Sequence, residues 1–206
     1  MTRQLSFIAA IATPLSVALL AFVGGWVTPG YSHVSQFISE LGATNSVTEY
    51  PVRFLGFLPA GIALLAFSWF AHAATPKTRL SAIAFSALAI YALGYVAAAF
   101  FPCDAGCRPV NPSTAQLLHN ALGGIGYLIA PAFMLAFGIC ARTWPASAPL
   151  PALAFVAAAV SLLGLASLSP SSPFVGLSQR AIEVSVLAWV VACGWHIRNA
   201  ASTAES

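Results

Sequence analysis

The stretch LSFIAAIATPLSVALLAFVGGWV, residues 5–27, contains no charged side chain. It is long enough for an α-helix to cross the roughly 30 Å hydrocarbon core of a bilayer. An apolar run behind Arg3 also resembles a signal peptide, but a cleaved signal has an apolar core of only about 7–15 residues and no further spans behind it. We therefore read this stretch as a retained first helix. The rest of the 206-residue chain has the same character, with 6% charged and 59% hydrophobic residues. A soluble domain carries about 25% charged residues, so the natural solvent for most of this surface is lipid. The net charge of +3 comes from a handful of basic residues. Their placement reads as topology, and no nucleic-acid partner is expected.

Five further apolar stretches follow, giving spans at residues 5–27, 52–73, 80–101, 116–141, 150–168 and 179–197. Breakers separate them: Thr28-Pro29-Gly30, Thr75-Pro76-Lys77, the Pro/Cys/Gly-rich 102–112, Trp144-Pro145 and 169–173. Inside hydrocarbon, only helices and closed barrels satisfy their own backbone, and the stretches lack the period-2 alternation of a barrel. The fold class is thus an all-α integral membrane protein, a single six-helix domain over residues 1–206. Arg3, Lys77, Arg79, Arg142 and Arg198 fall on one side, and Arg53, Arg108 and Arg180 on the other. The positive-inside rule assigns the richer side to the cytoplasm. Both termini are then cytoplasmic, in a multi-pass protein of the cell membrane.

The outer side holds four of the five acids, three of them close in sequence to an Arg: Glu49 with Arg53, Asp104 with Arg108, and Glu183 with Arg180. Glu40 is the fourth. Such pairs are either surface ion pairs of small energetic value or the rim of a site. Residues 28–51 are too long for a structureless loop. Val34, Phe37, Ile38 and Leu41 fall at i, i+3, i+4 and i+7, with Ser32 as a cap and Gly42 as a stop. This spacing predicts a short amphipathic helix over Ser32–Leu41, either an interfacial anchor or a lid carrying Ser39 and Glu40 to a pocket. Cys103 and Cys107 face the oxidising side and read as a disulfide. Zinc held by Cys103, Cys107 and His119 is a weaker alternative, since these fall short of a usual ligand set. No cofactor is expected otherwise. Cys140 and Cys193 read as free thiols.

His119 opens the fourth span and shares a face with Gly123, Gly126, Tyr127 and Ala130. It is either an interfacial histidine bonded to a loop carbonyl or a pocket-lining proton donor, acceptor or ligand. Glu183 lies about one turn inside the sixth span, where acids are rare and face the interior. It shares a face with Gln179 and lies within helical reach of Arg180. The pair is either a structural clamp or a site carboxylate with Arg53, His119 or a ligand cation as partner. There is no HExxH, Walker loop, GxSxG or Rossmann fingerprint.

The segment YSHVSQFISELGA, residues 31–43, resembles the signature after the first helix of a family of six-helix prokaryotic membrane proteins. That family is known as the domain of unknown function numbered nine hundred and ninety-eight. The Ile38-Ser39-Glu40-Leu41-Gly42 core is the specific part. Phe101-Pro102-Cys103-Asp104 and His119 resemble the same family. The resemblance implies an integral six-helix fold and transfers no activity. A looser similarity is to the membrane hydrolases that include alkaline ceramidases and adiponectin receptors, in which Ser39, Asp104 and His119 would mimic part of a zinc site. The paired histidines of their late helix are replaced here by Gln179 and Glu183.

Three readings follow. The first is a protein that binds a membrane lipid or other small amphiphile in an outward-facing pocket lined by Ser39, Glu40, Arg53, Asp104, His119, Gln179, Arg180 and Glu183. The second is an outer-leaflet head-group or amide hydrolase, with Glu183 or Asp104 as base and His119 as acid. The third is a structural or regulatory membrane subunit. The sequence specifies no oligomeric state.

Overall fold

The computed structural model describes residues 1–200. Six helices are long and apolar enough to cross a membrane: α1 (Thr2–Val27), α2 (Glu49–Ala74), α3 (Arg79–Phe100), α4 (Thr114–Ala141), α5 (Pro149–Ala166) and α6 (Val175–Asn199). Their ends lie within about four residues of the expected spans, because the Pro- and Gly-rich breakers set them. Pro14 and Pro131 sit inside α1 and α4, as proline commonly does in membrane helices.

Each helix packs on its neighbours in sequence, and α6 closes the ring against α1. Short connections between antiparallel helices impose that order. The interior is aromatic and tight. Phe67, Leu64, Leu88, Met134, Phe137 and Trp189 are fully buried, and the rings of Phe137 and Trp189 stack at 4.1 Å. Large apolar side chains such as Trp26, Leu55, Trp69 and Leu163 stand fully outside, where lipid is their solvent. Small residues permit the closest approaches. At Gly61 of α2, an added Cβ would stand 3.0 Å from the Ala92 carbonyl of α3.

A cap formed by residues 28–48 covers one end of the ring, called here the capped end. The expected helix over Ser32–Leu41 is replaced by a single turn, in which Gln36 N donates to Ser32 O at 3.0 Å, and a 3-10 helix over Ile38–Gly42. The reason is tertiary. In an α-helix, Ile38 N would bond to Val34 O. Instead Val34 O accepts from Leu177 N at 3.0 Å, Ile38 N donates to Gln179 Oε1 at 2.7 Å, and Phe37 is extended. Two bonds to α6 replace the helical one. Ile38 and Leu41 do turn inward and are buried, while Val34 is exposed. The segment therefore plugs the mouth of the bundle. Ser32 still caps its turn through Ser35 N, and the short helix ends at Gly42.

Two more features shape this end. Residues 52–57 at the start of α2 form a π-helical stretch, a local widening that often accompanies functional sites. It places buried Arg53 so that its Nε donates to Ala99 O of α3 at 2.8 Å. Cys103 and Cys107 stand at disulfide distance, with Cα atoms 5.0 Å apart. The Cys103 carbonyl accepts from Thr44 N at 2.9 Å, which ties the 102–112 loop to the cap.

Candidate functional site

Glu183 faces inward from α6 and is 4% exposed. Three phenols serve it. Tyr91 OH donates to Oε2 at 2.7 Å, Tyr95 OH donates to the same oxygen, and Tyr127 OH donates to Oε1 at 2.5 Å. Tyr91 and Tyr95 are four apart on α3, so helical periodicity puts both hydroxyls on one face. Tyr127 reaches in from α4, where Gly126 lets the backbone lie against Tyr91. Gln179, one turn before Glu183, is fixed by Ile38 N and donates through Nε2 to Tyr127 OH at 2.8 Å. A carboxylate inside a bundle must be compensated. Here hydroxyl donors meet that need, in place of the Arg180, Arg53 or His119 partners expected from sequence.

Arg180 turns away from Glu183 and latches the cap. Its NH1 donates to Gln36 O at 3.0 Å and Gly176 O at 2.9 Å. Its NH2 donates to Tyr31 OH at 2.6 Å and His33 Nδ1 at 3.0 Å. Because a guanidinium only donates, His33 Nδ1 is the accepting nitrogen. Burial, and next the Arg180 charge, hold the His33 pKa below its usual value, consistent with a neutral ring. Burial raises the Tyr31 pKa, outweighing the Arg180 charge, so its hydroxyl keeps the proton that it donates to Phe37 O at 2.9 Å. At Gly176 the cap comes so close that a Cβ would stand 2.7 Å from His33 O.

The other sequence candidates divide clearly. Glu49 and Arg53 pair as expected, at 2.8 Å. Asp104 does not pair with Arg108. Its oxygens accept from Ser113 N at 2.9 Å and Ser113 Oγ at 2.7 Å, just before α4, and these bonds hold its pKa below the usual carboxyl value. Arg108 instead meets Glu40 at 3.5 Å and Ser35 O. Glu40 also accepts from Phe37 N and Gln36 Nε2. Glu40, Arg53 and Asp104 are thus committed to holding loops and helix ends. His119 Nδ1 meets the Phe101 carbonyl at 2.9 Å. A carbonyl only accepts, so Nδ1 carries the proton, and in the neutral ring Nε2 keeps its lone pair. The Cys103 and Cys107 sulfurs stand at disulfide distance from each other.

Two spaces meet at Glu183. A chamber of about 60 Å³ lies behind the 38–42 helix, walled by Ser39, His119, Gln179, Glu183 and the three tyrosines. Ser39, His119, Gly123, Tyr127 and Gln179 also line a wider cleft of about 250 Å³ beside Asn120 and Pro170. On the other side of α6, an apolar groove of about 720 Å³ runs between α1 and α6, lined by Val17, Ala18, Phe22, Leu187, Ala188 and Val191 among others. Its upper end is formed by His33, Arg180 and Glu183. Of the residues named from sequence, the structure brings Ser39, His119, Gln179 and Glu183 together around the chamber. Sequence reasoning missed Tyr91 and Tyr95 and gave Tyr127 no role, although a carboxylate within a span implies donors and two tyrosines four apart in another span are a readable signal.

No curated protein and no solved structure matches this chain. A family model does, over residues 10–196, nearly the whole of the six-helix ring and all of the Glu183 environment. This multi-pass membrane protein belongs to the family described as "Protein of unknown function (DUF998)".

Proposed function

We propose that the protein binds a membrane amphiphile with an anionic head group, its hydrocarbon chain lying in the α1–α6 groove and its head group at the His33–Arg180 end. One observation carries this reading: the groove is apolar along its length and ends at a half-buried guanidinium that forms no ion pair among the described residues. From Arg180 to Val191, α6 rises roughly 16 Å at 1.5 Å per residue, about half the hydrocarbon thickness. That length suits one acyl chain of one leaflet. The groove's volume falls in the range of ligand sites. The distribution of Lys and Arg supports an orientation with the capped end outside and both termini in the cytoplasm, so the amphiphile would belong to the outer leaflet. The polar residues supporting the reading are Arg180 at the groove, with Gln179, Glu183, His119 and Ser39 behind it. The hydrolase reading has less support, since Asp104 is occupied at the start of α4.

The test is photolabelling of the purified, delipidated protein with an anionic lysophospholipid bearing a diazirine in its chain. Labelled peptides are expected from residues 14–22 and 180–191. Ala188→Trp, which fills the groove from an exposed position, is expected to remove that labelling and leave thermal melting within a few degrees. Labelling spread evenly over all lipid-facing helices, or unaffected by Ala188→Trp, refutes the proposal.

A further inference from the structure

We propose that the chamber behind the 38–42 helix binds a primary ammonium group. Its walls offer more unused acceptors than donors. Tyr91, Tyr95 and Tyr127 each spend their single proton on Glu183. His119 spends its Nδ1 proton on Phe101 O, leaving the Nε2 lone pair. Ser39 Oγ lies 3.6 Å from Cys107 Sγ. A disulfide sulfur has no proton to give, so the hydroxyl donates outward and keeps its lone pairs. A carboxylate has about four lone-pair sites; three on Glu183 are filled, and the one left is on Oε1. Against these acceptors stands one remaining N–H of Gln179, whose other bonds go to Tyr127 and Ile38.

The walls therefore carry a negative charge and a surplus of lone pairs, and the neighbouring cations are engaged elsewhere. Arg180 faces the cap and Arg53 faces Glu49 and Ala99. The complementary guest is a small cation rich in donors. A chamber of about 60 Å³ admits only a few non-hydrogen atoms, since one water needs on the order of 10–15 Å³. A guanidinium is too broad. A metal ion lacks a ligand set, because no group of three His, Cys, Asp or Glu able to hold one exists among the described residues. An ammonium presents three donors on a compact charge and meets aromatic walls that attract cations. The ammonium can belong to a free amine or to a lipid head group, since Glu183 lines both chamber and groove. The proposal does not depend on the groove being occupied.

Delipidated protein in detergent is titrated with methylammonium chloride by calorimetry and thermal melting, against sodium chloride and tetramethylammonium chloride at equal ionic strength. Saturable binding and a raised melting temperature are expected with methylammonium alone, because tetramethylammonium has no donor. Glu183→Gln is expected to weaken binding by roughly tenfold or more, the effect of losing one charge-assisted hydrogen bond. Gly123→Leu serves where that variant fails to fold. A Cβ there meets nothing within 4 Å, so the side chain can extend into the space that Gly123 lines in chamber and cleft and leave the hydrogen bonds in place. Ala188→Trp is expected to leave methylammonium binding intact, so the groove reading and this one fail separately. In nanodiscs, displacement of methylammonium by phosphatidylethanolamine but not phosphatidylglycerol assigns the ammonium to a lipid, and no displacement assigns it to a free amine; both support the chamber. Equal effects of the three salts, or methylammonium binding unchanged in Glu183→Gln and Gly123→Leu, overturn it.

Discussion

Arg180→Met is the substitution that best separates the cap from the bundle. It keeps a long side chain and deletes every guanidinium bond. Three of those bonds cross from α6 to the cap, to Tyr31 OH, His33 Nδ1 and Gln36 O. A hydrogen bond from a charged group contributes about 1.5–3 kcal/mol net. Arg180 is half-buried, so water replaces part of what is lost, and the three bonds share one donor group and do not add. The expected cost is about 2–4 kcal/mol, felt locally because the six-helix ring does not depend on the latch. The amides that report it are Leu177 and Ile38, which bond across the same seam to Val34 O and Gln179 Oε1. At tenfold per 1.4 kcal/mol, their hydrogen exchange should accelerate roughly 30- to 700-fold, with amides deep in α3 and α4 unchanged. Unchanged exchange at Leu177 and Ile38, or equal acceleration throughout the helices, refutes the latch.

The same amides should respond to acid. The folded pKa of His33 lies below its usual value of about 6.5. Its stabilising effect is therefore complete above that value and is lost as pH falls through the folded pKa, so exchange at Ile38 and Leu177 should quicken in acid and a His33→Gln variant should show less of this dependence. Asp104 follows the same sign: its bonds from Ser113 are present above the ordinary carboxyl value and lost as pH falls through the depressed one, and Ser113→Ala should raise its titration, read by carboxyl-carbon NMR. Gly61→Ala should destabilise the bundle by about 1–3 kcal/mol through overpacking, because its Cβ meets α3 backbone at 3.0 Å. Gly123→Ala, in open space, should be neutral or stabilising by up to about 1 kcal/mol through helix propensity, with thermal melting in detergent deciding both. Alkylation and mass spectrometry should find Cys103 and Cys107 blocked together, and buried Cys140 and Cys193 reactive only after denaturation.

The six helices were legible because lipid imposes one requirement on every span, and composition alone meets or fails it. The cap was only half legible. Of the four residues at helical spacing, Ile38 and Leu41 turn inward and Val34 stays exposed; Ile38 N finds its acceptor in Gln179, 141 positions away, and no local pattern encodes that. Arg180 and Glu183 show the same limit. Three residues apart on a helix is a statement of reach, and here the cap takes the cation while three phenols take the anion. Glu183 itself was visible as an acid inside a span, and His119 as a residue with a backbone carbonyl for a partner. Its tyrosine partners stand on α3 and α4, across the ring from α6, and required knowledge of which helices face each other over the interior.

The helix that carries Glu183 is also the least apolar of the six, and it is the last to be synthesised. Entering bare lipid, it would present Glu183 and Gln179 to hydrocarbon at a cost of a few kcal/mol. Entering between α1 and α5, it finds three phenols and the cap already waiting. The seam between α1 and α5 is filled by α6, so the hydrogen bonds that form the chamber can form only once α6 is in place. Ribosomal products that stop short of residue 175 would retain five spans and an open seam, with Tyr91, Tyr95 and Tyr127 turned toward nothing that can accept from them. Quality-control machinery that recognises unpaired polar groups in the bilayer would have its target there.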